Sequence, residues 1–169
     1  MKTLNDYIIE WRANSDNISS IKKSQYFIYK IDKKCIIKIF DNDWSQLKNY
    51  KDKVYINGKQ ITVGSDGWTM NEYEPGIYEI EIKDIDDVKD CTYMFYYCTN
   101  LIEVPLFNTS NVENMYSMFK FCENLENVPL FDISNVETIS EMFYDCSALN
   151  NETKKAWSKV YDFVQHKKK

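Results

Sequence analysis

Glycine and histidine are scarce in this 169-residue chain, and each scarcity excludes a class of site. Phosphate-binding loops place several glycines in one short turn before a helix, and the four glycines here form no such loop. His166 is the only histidine and lies among lysines, so catalysis by an imidazole base is not expected. Paired acids such as Glu79 and Glu103 are interpreted as solvent-facing side chains, because no cleft is implied. We therefore expect no catalytic residue, no metal site and no cofactor.

Long apolar runs are also missing. No run approaches the roughly 20 residues that a membrane-spanning helix needs, so no membrane span is expected. The first residues, Met1 to Tyr7, contain no apolar core of a secretory signal. These features predict a cytoplasmic protein, or a secreted or surface protein if a leader was removed. The five cysteines are an odd number, which favours free thiols in that compartment.

What the chain does contain is an internal repeat of 24 residues. Residues 94–117 and 118–141 are identical at 13 of 24 positions, and a weaker copy extends the repeat region upstream to give 77–149. Each clear copy carries the pattern L-x-x-V-x-L, as in Leu101, Val104 and Leu106. Such a pattern predicts short parallel strands near 77–82, 101–106 and 125–130 that stack and close a shared core. Cys98, Cys122 and Cys146 recur with the same spacing and predict a ladder of reduced, buried thiols.

The combined motif, MFxxCxNLxxVPLFxxSNV, resembles the repeats of the BspA-like leucine-rich-repeat proteins. The resemblance covers 77–149, nearly half the chain. It implies a leucine-rich-repeat solenoid of about three repeats that adheres to or binds other proteins.

Both open ends of such an array must be covered. Residues 1–76 are interpreted as an α+β capping unit, with a helix at Leu4–Trp11, strands at Tyr26–Ile31 and Cys35–Phe40, and a hairpin at Val54–Val63 turning at Asn57-Gly58. Residues 150–169 predict a C-terminal capping helix and a basic tail, with Asn150 or Asn151 as the cap. Trp157 should lie over the last repeat. The predicted fold class is thus α+β: a short parallel-strand solenoid between two caps.

Charge is distributed unevenly along the chain. Residues 77–149 carry 3 basic and 14 acidic side chains, a net charge of −11, whereas residues 1–76 and 150–169 are net positive. An acidic repeat region repels phosphate backbones, so direct nucleic-acid binding through the repeats is not expected. A protein with a basic surface is the expected partner. The oligomeric state is not readable from these patterns.

The outward strand positions of the repeats are the candidate binding residues, because they would combine acids with apolar side chains. Pro105 and Pro129 lack a ladder donor, which conflicts with regular strand pairing at those points. For the two phenylalanines of this set, entry into the core is the favoured alternative to facing solvent. The set is Tyr78, Glu79, Glu81, Ile102, Glu103, Phe107, Glu126 and Phe131.

The leading hypothesis is a non-catalytic protein-binding module that acts through the acidic repeats. One alternative is a surface or secreted adhesin of the BspA-like type. Another is an inhibitor, encoded by a phage or mobile element, of a host nucleic-acid-processing enzyme. An enzyme housed in residues 1–76 is the weakest of these readings, because no set of residues supports it.

Overall fold

A computed structural model describes residues 26–166 of the protein. The helix expected at Leu4–Trp11 and the lysines 167–169 lie outside the described residues. In chain order the elements are β1 (Phe27–Ile31), α1 (Leu47–Tyr50), β2 (Val54–Ile56), β3 (Lys59–Ile61), β4 (Gly76–Ile82), a 3₁₀ turn (Ile85–Asp87), β5 (Leu101–Glu103) and α2 (Asn151–His166). Neither helix between residues 26 and 166 has the length and hydropathy of a membrane-spanning segment.

The five strands form one antiparallel sheet in the order β3-β2-β4-β1-β5. Successive side chains of a strand point to opposite faces, so one face is buried and the other looks outward. The buried face carries seven apolar residues, two or three from each of β1, β2 and β4: Phe27, Tyr29, Ile31, Val54, Ile56, Ile80 and Ile82.

The predicted parallel-strand solenoid is wrong. Residues 77–82 belong to β4, which is antiparallel to both of its neighbours, β1 and β2. Of 101–106 only Leu101–Glu103 is a strand, and it pairs antiparallel with β1. Residues 125–130 form no strand, only a single parallel bridge from Asn127 to Glu103. Pro105 and Pro129 offer one physical reason, because a residue without an N–H cannot continue a strand ladder.

The repeats instead form a stack of turns that are joined by backbone hydrogen bonds. In the stack, the first copy of the turn is 91–98, the second is 115–122 and the third is 139–146. Alternate N–H groups of one copy donate to carbonyl oxygens 23 residues further along the chain. Phe95 N–H donates to Met118 O at 2.9 Å, and Phe119 N–H donates to Met142 O at 3.1 Å. The donors are residues 91, 93, 95 and 97 of the first copy and residues 115, 117, 119 and 121 of the second.

Aromatic rings form the centre of this stack. Phe95, Phe119 and Phe143 lie parallel at 5.6 and 5.8 Å, each ring contributed by one copy. Leu101, Val104, Leu125, Val128 and Leu130 are buried as predicted, whereas Leu106 is 44% exposed. The L-x-x-V-x-L pattern therefore supplies core residues to stacked turns in this protein, not to parallel strands.

The end of the stack at the first copy is covered by residues of the N-terminal part. Trp44 is 2% exposed, and its Nε1–H donates to the carbonyl of Asp90 at 2.7 Å. The Asp41 N–H donates to Met94 O at 3.1 Å. The hairpin at 54–63 is confirmed, with Asn57 and Gly58 at positive φ as the turn requires. The strand expected at 35–40 is reduced to isolated bridges at Cys35 and Lys38.

The other end is covered by α2, as the sequence predicts. The Asn150 side chain caps the helix by accepting a hydrogen bond from the Thr153 N–H at 2.8 Å. Trp157 is 3% exposed and packs edge-on against Phe131 at 5.8 Å and Phe143 at 5.4 Å. The indole thus takes the place that a fourth ring of the stack would occupy.

Candidate binding surfaces

The outward face of the sheet collects two of the predicted acids around an apolar residue. In the strand register Ile28 of β1 lies opposite Glu79 of β4 on one side and Glu103 of β5 on the other. The two glutamates are therefore about two strand spacings apart, roughly 10 Å. Neither forms an ion pair with another residue between 26 and 166. Ile77, further along β4 on the same face, is 57% exposed. We call Ile28, Ile77, Glu79 and Glu103 the acidic face.

Glu81 also lies on the outward side, but its charge is compensated. Its Oε1 is 2.5 Å from Lys83 Nζ, and that ammonium lies 5.5 Å from the ring centre of Tyr55. The hydrogen bond with Glu81 raises the pKa of Lys83. Because the ammonium of Lys83 neutralises the charge of the Glu81 carboxylate, Glu81 contributes less negative potential than Glu79 or Glu103 does.

The remaining predicted residues are dispersed. Tyr78 lies on the opposite side of β4 from Glu79, where its ring contacts Tyr73 at 5.3 Å and its hydroxyl donates to Glu74 O at 2.8 Å. Ile102 is the extra residue at an irregularity of the β1–β5 register, and it is half-buried. Glu126 is exposed, and its N–H donates to Ile102 O at 2.9 Å.

The two phenylalanines of the candidate set are core residues, which removes them from any binding surface. Phe107 is 6% exposed and lies 6.1 Å from Phe27, while Phe131 is 1% exposed and lies 5.0 Å from Phe107. Both follow a proline by two residues. The chain leaves the sheet direction at that point, and the ring turns inward to join the column that Trp157 completes.

The cysteine ladder is a set of buried thiols. Cys91, Cys98, Cys122 and Cys146 are free and buried, and Cys35 is free and half-buried. Cys122 Sγ donates to Phe95 O and Cys146 Sγ to Phe119 O, both at 3.0 Å. Burial raises the pKa of Cys146 to about 12, so this thiol keeps its proton to a higher pH than an ordinary cysteine does. No group of three potential metal ligands occurs within residues 26–166.

A cluster of surface aromatics was missed by the sequence interpretation. Tyr97 contacts Phe121 at 5.2 Å, and Phe121 contacts Tyr144 at 5.7 Å. Lys120 lies 4.7 Å from the Tyr144 ring centre and 2.6 Å from Glu141. The 24-residue spacing of Tyr97 and Phe121 was the available signal. Since these contacts link one copy to the next, we assign them to stabilisation of the stack.

Residues 97 and 121 also adopt an unusual backbone. Tyr97 has φ 62° and Phe121 has φ 63°, and Asp145 at the same place in the third copy has φ 59°. A left-handed conformation is costly for a bulky side chain. The stack imposes this geometry at every copy, so the strain is a property of the turn rather than evidence of a site.

The backbone donors of the third copy have no counterpart. The N–H groups of Ile139, Glu141, Phe143 and Asp145 occupy the positions that donate in the first two copies, and none has an acceptor among residues 26–166. Beside them, between the third copy and α2, lies a groove of about 420 Å³ with a mostly apolar lining. This is the second candidate surface.

Comparison with curated proteins and with solved structures finds no significant match. Comparison with protein families matches residues 69–167, more than half of the chain, to the family described as "Mycoplasma protein of unknown function, DUF285". The match includes β4, β5, the stacked copies and all of α2. The chain therefore belongs to the DUF285 family.

Proposed function

We propose that the protein is a non-catalytic binding module that engages a basic surface of another protein through the acidic face. The observation that carries this proposal is the position of Glu79 and Glu103 on either side of Ile28, with neither carboxylate in an ion pair with a described residue. Carboxylates around an apolar centre have the composition of a protein interface, in which polar groups surround the apolar contact.

Charge supports the identity of the partner. The segment 77–149, which contributes β4 and β5, has a net charge of −11. A field of that sign accelerates encounter with a basic protein and rejects acidic ones. The half-buried Ile28 and the exposed Ile77 would then supply the apolar contact that slows dissociation.

The repeat motif supports a finer assignment within the family. We propose that the 24-residue copies are of the BspA-like type, whose MFxxC pattern recurs at Met94, Met118 and Met142. That resemblance implies adhesion to or binding of other proteins, which agrees with the role proposed for the acidic face.

The first experiment identifies a partner and locates its contact. A photoreactive amino acid replaces Ile77, and in a control variant it replaces Met70, which is 72% exposed but lies outside the acidic face. Irradiation in cells of the source organism should yield a cross-linked protein from the Ile77 position that the Met70 position does not yield. Equal cross-linking from both positions would contradict a specific face.

The second experiment measures association with that partner. Glu79→Lys and Glu103→Lys should each slow association, weaken its salt dependence and leave the melting temperature unchanged. Glu137→Lys is the matched control, because it makes the same charge change at an exposed residue of the same acidic segment, away from the sheet. If all three variants associate at the wild-type rate in low salt, the acidic face is not the interface. If the control slows association equally, only net charge matters.

A further inference from the structure

The third copy of the repeat has an unfinished hydrogen-bond edge. In the first two copies four alternate N–H groups donate to the following copy, at distances between 2.9 and 3.1 Å for the first copy. The corresponding groups of the third copy are those of Ile139, Glu141, Phe143 and Asp145, and within residues 26–166 they have no acceptor. An unpaired row of backbone donors is a template for pairing with another chain.

Helix α2 covers the apolar core at this end but not the donors. Trp157 reaches Phe143, and Lys154, Ser158 and Tyr161 line the far wall of the groove. A helix has already used its own backbone carbonyls, so α2 cannot supply the acceptors. The groove therefore runs between a row of donors and an apolar helix wall, with Lys154 adding positive charge.

These features select an occupant rich in acceptors. It must present carbonyl oxygens to the donors, and the accessible rings of Phe143, Tyr144 and Tyr161 in the groove lining favour an apolar side chain. The carbonyls that meet the equivalent donors of the second copy belong to Thr138, Ser140, Met142 and Tyr144. A peptide segment that follows the same backbone course would complete the edge.

A second copy of this chain does not satisfy the donors. Placing two such ends together sets donors against donors. Placing this end on the first copy of another molecule fails for a different reason, because Trp44 already donates to Asp90 O and Asp41 to Met94 O. Two of the four acceptors at that end, Asp90 O and Met94 O, are thus occupied by the molecule's own N-terminal part, which lies where the third copy of another molecule would have to stack.

We propose that the groove between the third copy and α2 binds a peptide segment of a different protein, held by backbone hydrogen bonds to residues 139–145 and by an apolar side chain against Phe143 and Tyr161. This site is separate from the acidic face and does not depend on it. Binding here should persist in Glu79→Lys, so failure of one proposal leaves the other standing.

The first test asks whether the edge is open in the full-length protein. Amide hydrogen exchange, followed by ¹⁵N-resolved NMR, should show slow exchange at residues 115, 117, 119 and 121. Exchange should be faster at residues 139, 141, 143 and 145, by at least about tenfold, because these groups lack an acceptor. Equal protection of both sets would mean that the chain itself already fills the groove, and it would overturn the proposal.

The second test uses a defined probe. A synthetic peptide with the sequence of residues 136–147, carrying Cys146→Ser to prevent oxidation, contains the natural set of acceptor carbonyls. Titrated into the ¹⁵N-labelled protein, it should shift resonances of residues 139–145 and 154–161 and slow exchange at the four donors. A peptide of the same composition in scrambled order is the control. Equal shifts with both peptides, or shifts with neither, would contradict a built site.

The third test blocks the groove. Ser158→Trp places a large ring in the wall of the groove at an exposed position, so the fold should be retained. Lys155→Trp is the matched control on an exposed part of α2 that does not line the groove. Ser158→Trp should weaken peptide binding at least about tenfold, and Lys155→Trp less than about twofold. Equal binding by both variants would overturn the assignment.

Discussion

At the first copy the N-terminal part places N–H donors of Trp44 and Asp41 against backbone carbonyls, whereas at the third copy α2 places only an indole against the core. The difference follows from the direction of the ladder. Donors of each copy point toward the next, so the first end exposes acceptors and the last end exposes donors. Side-chain and loop N–H groups can satisfy acceptors, but a helix has no spare carbonyls for the donors. Both ends exclude water from the core, but only the first end gives the stack hydrogen-bond partners, at Asp90 O and Met94 O.

The largest effect should come from removing either indole. Trp44→Ala and Trp157→Ala each delete a large side chain that is at most 3% exposed, so each should lower the free energy of unfolding by about 3–5 kcal/mol. Urea denaturation followed by circular dichroism measures both. Tyr144→Ala is a control for loss of an exposed ring, since that side chain is 58% exposed. An unchanged midpoint for Trp157→Ala would show that α2 does not cover the core.

The repeat period and the helix could be predicted from the sequence, because both are local. The 24-residue identity locates Phe95, Phe119 and Phe143 in equivalent places, and the apolar stripe of α2 identifies Trp157 as the covering residue. Alternation in residues 77–82 likewise indicates a strand. Those features depend on residues that are close in sequence or repeat at a fixed interval.

The strand partners could not be predicted in the same way. Alternation gives the buried side of β4 but not its neighbour, and β1 inserts between β4 and β5 from 45 or more residues away. Ile28 was therefore absent from the predicted binding set, although it lies between Glu79 and Glu103. Tyr78 was included, although alternation sets it on the other side of β4 from Glu79. The missing donors of the third copy depend on pairing direction, which no composition or period reveals.

A finer comparison of the two ends isolates the hydrogen bonds of the indoles. Trp44 Nε1 lies 2.7 Å from Asp90 O, whereas Trp157 Nε1 lies 3.4 Å from Val128 O. Replacement by phenylalanine keeps most of the apolar contact and removes the donor. Trp44→Phe should therefore lower the free energy of unfolding by about 1 kcal/mol more than Trp157→Phe does. Equal losses of unfolding free energy in matched urea titrations would show that the hydrogen bond from Trp44 does not stabilise the end of the stack at the first copy.

Cys146, the thiol in the third copy, should make the free energy of unfolding fall as pH rises through the alkaline range. Burial raises the pKa of Cys146 from 9.0 to about 12, so the unfolded chain loses this proton at a lower pH than the folded protein does. The protonated Cys146 thiol makes its full contribution to the free energy of unfolding below pH 9, and this contribution is lost as pH rises from about 9 through 12. Cys146→Ala should flatten the fall in stability between pH 8 and pH 10 by about 1 kcal/mol, since one pKa unit corresponds to about 1.4 kcal/mol. Cys35→Ala, at a half-buried thiol, is the control. Identical pH profiles for wild type and Cys146→Ala would contradict a protected thiol.

The smallest expected effect concerns the residue that begins the helix at the open end. Asn150 Oδ1 accepts from the Thr153 N–H at 2.8 Å, and Asn150 Nδ2 donates to the Asn127 side chain. Asn150→Ala removes a helix cap and should cost about 1 kcal/mol. Asn151→Ala makes the same chemical change one residue later, at an exposed first helical position, and should cost less than about 0.5 kcal/mol.

Because the cap holds α2 against the third copy, Asn150→Ala should also speed alkylation of Cys146 relative to Cys98, measured by mass spectrometry of partly labelled protein. Equal stability of the two variants would assign the cap elsewhere. Unchanged labelling with a lowered midpoint would mean that the helix start and the groove open independently.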